Sequence, residues 1–136
     1  MSMPPLTAGW LAEAAGGRLL CGDANIAVGE ISTDTRRLSA GDFFVALRGP
    51  RFDGHGFVDA ARAAGAIGAL VDASYGGARW GALVQVRDTT VGLQELAHAV
   101  RRASGARVVA ITGSAGKTTT KDATAALLAT TCRVVK

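Results

Sequence analysis

The sequence predicts an α/β fold: a small N-terminal α/β unit with a mixed sheet, followed by the opening strand, loop, helix and strand of a second unit. Three observations predict it. Phe43-Phe44-Val45-Ala46-Leu47 is an unbroken apolar run, which suits a strand covered on both faces. Phe57, Ala60, Ala61 and Ala64 recur at i, i+3, i+4 and i+7, one face of a helix. Ala66 to Val71 then gives a second apolar run after Gly65, so strand, loop, helix and strand come in the order of a right-handed parallel crossover.

The remaining elements follow in chain order. Leu6 to Ala15 reads as a short helix capped by Thr7, with Leu6 and Leu11 at the two positions of a hydrophobic staple. Gly16-Gly17 ends it. Arg18 to Cys21 and Asn25 to Ser32 read as strands separated by the turn at Gly22-Asp23. Gly49 to Gly56 is a loop. Ala82 to Val86 is a strand, and Leu93, Leu96, Ala97 and Val100 mark another amphipathic helix. Arg107 to Ile111 is a strand, Thr118 to Ala129 a helix, and Cys132 to Val135 the start of one more strand.

Composition narrows the function. The chain has 136 residues and a formal net charge of +4, with 5% aromatic residues. Its basic residues are scattered and there is little for bases to stack on, so the charge suits an anionic small molecule and nucleic acid is not expected as a partner. No apolar window nears the roughly 20 residues a membrane-spanning helix needs, and no secretory leader is apparent. Cys21 and Cys132 lie far apart and form no metal or redox spacing. These features point to a cytoplasmic protein, expected to be a monomer that does not engage membranes.

A domain boundary is expected near Ser104-Gly105, giving domains 1–104 and 105–136. Segments below about 40 residues rarely bury enough surface to fold alone. Residues 105–136 therefore read as the opening of a truncated second domain, and the chain as a fragment of a longer protein.

The strongest chemical signal is Thr112-Gly113-Ser114-Ala115-Gly116-Lys117-Thr118-Thr119, set between an apolar strand and a helix-forming run. This is the context a phosphate-binding loop requires. Gly113 and Gly116 let the backbone curl so that successive N–H groups face phosphate oxygens. The following helix adds unpaired donors and a positive dipole end. Lys117 can reach β- and γ-phosphates, and the Thr118 hydroxyl can ligate Mg²⁺. Ile111 stands where the longer G-x-x-x-x-G-K-[ST] pattern wants glycine, which argues against a generic GTPase or kinase.

The segment from Ala110 to Asp122 resembles the ATP-binding loop of the Mur ligases, which lack that first glycine. A second block resembles their substrate-binding N-terminal domain: Ser32-Thr33-Asp34-Thr35-Arg36, then Leu38 to Gly49, then Asp53-Gly54-His55-Gly56-Phe57. Two blocks in the expected order are far more specific than either alone. The resemblance implies a three-domain enzyme of cell-wall precursor synthesis, with ATP and Mg²⁺ as cofactors. Ser114 and Ala115, with Lys121-Asp122, favour members that add D-alanyl-D-alanine to a UDP-N-acetylmuramoyl-tripeptide over the sister enzymes that add the third residue. A stand-alone UDP-sugar or nucleotide-binding module is the non-catalytic alternative.

The resemblance also implies roles. Gly113, Ser114, Ala115 and Gly116 would give main-chain donors to ATP, Lys117 would act catalytically on the transferring phosphoryl group, Thr118 would help hold Mg²⁺, and Thr119 would add a hydroxyl near the α-phosphate. Ser32, Thr33, Asp34 and Arg36 match the motif at the uridine end of the substrate, although Asp34 and Arg36 equally suit a structural turn with a surface ion pair. Gly49, Arg51 and Phe52 align with the loop beside the nucleoside, Phe52 toward the base and Arg51 toward a phosphate, or form an ordinary loop. His55 is either a substrate contact or a cap that orients its loop. The residues that complete catalysis would lie beyond Lys136, so the fragment is expected to be inactive. His98 is expected to be solvent-exposed, and Trp10 and Trp80 to be packing groups.

Overall fold

The computed structural model describes residues 4–136. The chain divides into two compact units, the first reaching to Gly105 and the second Ala106–Lys136. In the first, β1 (Arg18–Cys21), β2 (Ile31–Ser32), β3 (Phe43–Val45), β4 (Gly68–Val71) and β5 (Ala82–Gln85) form one sheet in the order β1-β5-β4-β3-β2. β2, β3, β4 and β5 pair parallel with one another in turn, and β1 pairs antiparallel with β5. The mixed sheet and the parallel crossover from β3 to β4 are as the sequence predicts.

Side-chain alternation along these strands builds two cores. Phe43, Val45, Leu70, Ala82 and Val84 pack with Leu11 of α1 (Ala8–Ala14) and Leu96 of α3 (Thr89–Ser104). On the other face, Phe44, Ala46, Ala69, Val71 and Leu83 pack with Val58 and Ala61 of α2 (Val58–Ala63), and with Trp80. Burial on both faces is why β3 and β4 are written as continuous apolar runs rather than alternating ones. Thr7 caps α1 by accepting the Trp10 N–H at 3.2 Å, and Leu6 and Leu11 both join the core below.

The structure corrects several element details. α2 starts at Val58 after a 3₁₀ turn at Gly54–Phe57, so Val58 and Ala61 form its buried face. Phe57, Ala60 and Ala64, expected on that face, are exposed. α3 begins earlier than its apolar pattern, because the Asp88 carboxylate accepts the N–H groups of Thr90 and Val91. Leu96 is buried on it but Ala97 is exposed. The Asn25–Ser32 segment joins the sheet only at Ile31–Ser32, with Ala27 making an isolated bridge to Thr7.

The second unit contains α4 (Lys117–Leu128), in which Ala125 is buried. Neither Arg107 to Ile111 nor Cys132 to Val135 forms the expected strand. A strand exists through its ladder to a neighbour, and among the described residues neither segment has one. Val108 and Val109 accordingly remain largely exposed.

Candidate functional site

The parallel strands end on one side of the first unit, and the segments leaving those ends form a cavity of about 500 Å³. Ligands of open α/β sheets bind outside the carboxyl ends of the strands. One wall is polar and comes from Thr33, Asp34, Thr35 and Arg36 after β2; the other is apolar and comes from Phe44, Leu47, Phe52 and Phe57. Both walls follow directly from chain order, since β2 and β3 are adjacent and parallel.

The polar wall is a rigid turn. Ser32 Oγ accepts the Asp34 N–H and donates to the Asp34 carbonyl, both at 3.1 Å. Asp34 then caps the 3₁₀ turn Thr35–Arg37, accepting the Arg36 N–H at 3.0 Å. The Arg36 side chain returns onto the same carboxylate, Nε at 2.9 Å and Nη2 at 2.8 Å. This side-chain fork, followed by the backbone hydrogen bond, holds the Asp34 carboxyl at about 2, below its ordinary 3.8. Thus the turn and the ion pair both form, and both residues still line the cavity. The Arg36 side chain is 87% exposed, and a guanidinium has five N–H donors, so the fork leaves donors for an anion.

The apolar wall is a fastened loop. Gly49 N–H donates to the Phe52 carbonyl at 2.9 Å, Arg48 and Asp53 bridge its base, and Gly54 N–H donates to the Leu47 carbonyl at 2.7 Å. Gly49 seats the Phe52 ring: a Cβ there would stand 2.5 Å from Phe52 Cε1. Phe52 and Phe57 are 58% and 51% exposed, large aromatic surfaces that a planar ligand can cover. Arg51 is exposed on this loop, outside the cavity lining.

His55 lies behind that wall. Its side chain is 8% exposed, Nδ1 is 2.6 Å from Asp53 Oδ1, and Nε2 accepts the Asp72 N–H at 3.0 Å. With Nε2 accepting, Nδ1 carries the proton given to Asp53. Both ring nitrogens are therefore engaged inside the protein, which of the two roles open from the sequence favours the cap that orients its loop. The backbone and side-chain hydrogen bonds from His55 hold the Asp53 carboxyl at about 2.

In the second unit, the chain bends at Ser114 and Ala115 and enters α4 through Gly116, whose φ of 76° is the left-handed conformation that glycine adopts freely. α4 has no side-chain cap, so its first N–H groups are left for a ligand. Lys117 folds back on the loop, donating from Nζ to the Gly113 carbonyl at 2.6 Å. A smaller cavity of about 220 Å³ is lined by Val109, Ile111, Lys117, Thr118 and Lys121. Thr119 is exposed on the first turn of α4. Sequence reasoning missed Thr35, Phe44, Leu47, Gly54 and Phe57 in the first cavity and the lining roles of Val109, Ile111 and Lys121 in the second. Phe57 follows Asp53-Gly54-His55-Gly56, and a capping aspartate ahead of two glycines signals a tight turn that delays the helix.

Two cavities, one walled by aromatic rings and by the Asp34–Arg36 turn and one at an uncapped helix start, frame the comparison with known proteins. The profile described as "Mur ligase family, catalytic domain" matches residues 27–107. The chain belongs to the Mur ligase family. Among Mur ligases, it is 49% identical over 105 residues to the UDP-N-acetylmuramoyl-tripeptide--D-alanyl-D-alanine ligase of Escherichia coli strain K12, a match covering 77% of this chain and 23% of that one. Crystal structure II of MurF from Acinetobacter baumannii superposes with a TM-score of 0.76 at 33% identity, covering 98% of this chain and 29% of that chain. The MurF ligase of Thermotoga maritima in complex with ADP gives a TM-score of 0.62 at 33% identity, covering 75% and 23%. The chain thus spans about a quarter of the length of the curated relatives it matches.

Proposed function

We propose that this chain carries the UDP-substrate site and the ATP phosphate loop of a ligase that joins D-alanyl-D-alanine to a UDP-N-acetylmuramoyl-tripeptide. The cavity at the carboxyl ends of β2 and β3 carries the reading, because its two walls suit the two halves of a nucleoside diphosphate. Phe52 and Phe57 offer apolar faces to the uracil, Thr33 and the backbone of the Asp34 turn offer polar groups to its edge, and Arg36 meets the pyrophosphate through the donors its ion pair leaves. Arg51, on the adjoining loop, adds a second cation within the field of the phosphates.

The phosphate loop supplies the other half. Gly113, Ser114, Ala115 and Gly116 contribute main-chain donors, and Lys117 leaves the Gly113 carbonyl to engage the β- and γ-phosphates. Thr118 lines the cavity at the start of α4, which suits a hydroxyl that would help hold Mg²⁺; Thr119 would add a hydroxyl near the α-phosphate. Bound Mg²⁺ would neutralise charge on the transferring phosphoryl group. The tripeptide carboxylate attacks the γ-phosphorus and ADP leaves, giving an acyl phosphate. The amine of D-alanyl-D-alanine then attacks the acyl carbon, inorganic phosphate leaves, the amine loses a proton, and an amide remains. Lys117 stabilises the charge that develops in the first step. The chain alone is proposed to bind without turnover, as a cytoplasmic monomer.

Calorimetry on the chain tests this. UDP is expected to bind saturably, and Phe52→Ala is expected to weaken it about tenfold or more, the scale of one base–aromatic stack. Absence of UDP binding, or a Phe52→Ala variant that binds like wild type, contradicts the assignment of the cavity.

A further inference from the structure

We propose that His55 is a positioning residue for substrate binding: its imidazole ties the loop bearing Phe52 and Phe57 to the end of β4 and so sets the aromatic wall of the pocket. The inference rests on the reading of that cavity as the UDP site. Two phenyl rings more than half exposed gain nothing from solvent, and apolar burial would favour their collapse onto neighbouring surface. Something must hold the backbone that carries them. The hydrogen bonds of the segment converge on one carboxylate, Asp53. It accepts the His55 backbone N–H at 3.0 Å and the Nδ1–H at 2.6 Å, and pairs with Arg48 at 3.2 Å.

Asp53 by itself ties the loop only to neighbours in its own segment, residues 48–55. The link to the sheet comes through the far nitrogen of the imidazole, which accepts the Asp72 N–H one residue past β4. Arg48 repeats the connection from the loop base, reaching Ser74 Oγ at 2.7 Å and Asp72 Oδ2 at 3.4 Å. Only a side chain that donates at one end and accepts at the other can satisfy Asp53 and the Asp72 amide together. Neutral imidazole does this across a rigid ring with little conformational freedom to lose. Phe52 lies just before the Asp53–His55 pair and Phe57 two residues after it, so the tie falls between the two rings and fixes their spacing.

The test measures UDP affinity by calorimetry at a temperature where circular dichroism shows every variant folded. His55→Asn keeps a donor for Asp53 but withdraws the acceptor from the Asp72 N–H; it and His55→Ala are expected to bind UDP about tenfold more weakly, the scale of one part-buried hydrogen bond left unmade. His55→Gln, which reaches far enough to accept that N–H, is expected to recover part of the loss. Leu96→Ala, in the core on the opposite face of the sheet, serves as the destabilised control and is expected to keep wild-type affinity. The inference is overturned if His55→Asn binds like wild type, if Gln is no better than Asn, or if Leu96→Ala weakens binding to the same degree. Failure of wild type itself to bind UDP overturns the cavity assignment and this inference with it, which separates the two.

Discussion

The two proposed ligand sites are built in opposite ways. In the first, Phe43, Phe44, Val45, Leu70, Leu83 and Leu96 are essentially inaccessible, and a doubly covered sheet holds the pocket walls at its strand ends. In the second, Ala125 is the buried residue of the helix, while Val109 and Leu127 are 61% and 73% exposed. The first site depends on side chains held by tertiary packing. The second depends on local backbone: two glycines, a bend and a helix start, which a short segment specifies without a core.

That contrast orders the expected effects. Lys117→Ala in the proposed full-length ligase is expected to lower ligation at least about a hundredfold, the scale of removing one preorganised charge-stabilising group, with UDP affinity unchanged. A ligation rate near wild type would remove the loop from the mechanism. Leu96→Ala is expected to destabilise the first unit by about 2–5 kcal/mol through the cavity it opens, whereas Leu127→Ala is expected to stay within about 0.5 kcal/mol. Equal losses in chemical denaturation would mean that the two units do not differ in packing. Hydrogen exchange sharpens the same point: amides of β3, β4 and β5 are expected to be protected well beyond those of residues 106–131, and uniform protection would contradict the contrast.

The smallest effect is acid sensitivity at the first site. Asp34 and Asp53 are held at about 2, against an ordinary value of 3.8. Their folded values lie below the unfolded ones, so their contribution to stability is present above roughly pH 4 and is lost as the pH falls through about 2. Both are solvent-screened, so the slope is shallow. Asp53→Asn is expected to flatten the acid limb of the stability curve; a limb unchanged in that variant would detach Asp53 from it.

Features set by local pattern were legible in the sequence. The Thr7 cap, the doubly buried run at Phe43 to Ala46 and the helix after Gly116 rest on spacing within a few residues, and the parallel crossover on the order of the runs it joins. What failed was set by neighbours. Arg107 to Ile111 has strand composition but no ladder partner among the described residues, and composition supplies no partner. Phe57 fits a helical face by period, yet Asp53 caps a 3₁₀ turn first and the helix begins one residue later with Val58 inward. His55 was identified as a residue of interest, but its contact with the Asp72 amide joins positions 17 apart, which only the β3–β4 crossover brings together.

The central claim is that one chain holds two separate ligand sites, and NMR of the isotope-labelled chain tests it most directly. UDP is expected to shift amides of residues 33–36 and 49–57, and Mg²⁺–ATP those of residues 113–121, with no exchange between the two sets. UDP perturbing the phosphate loop, or ATP perturbing the aromatic wall instead of the loop, would contradict the account.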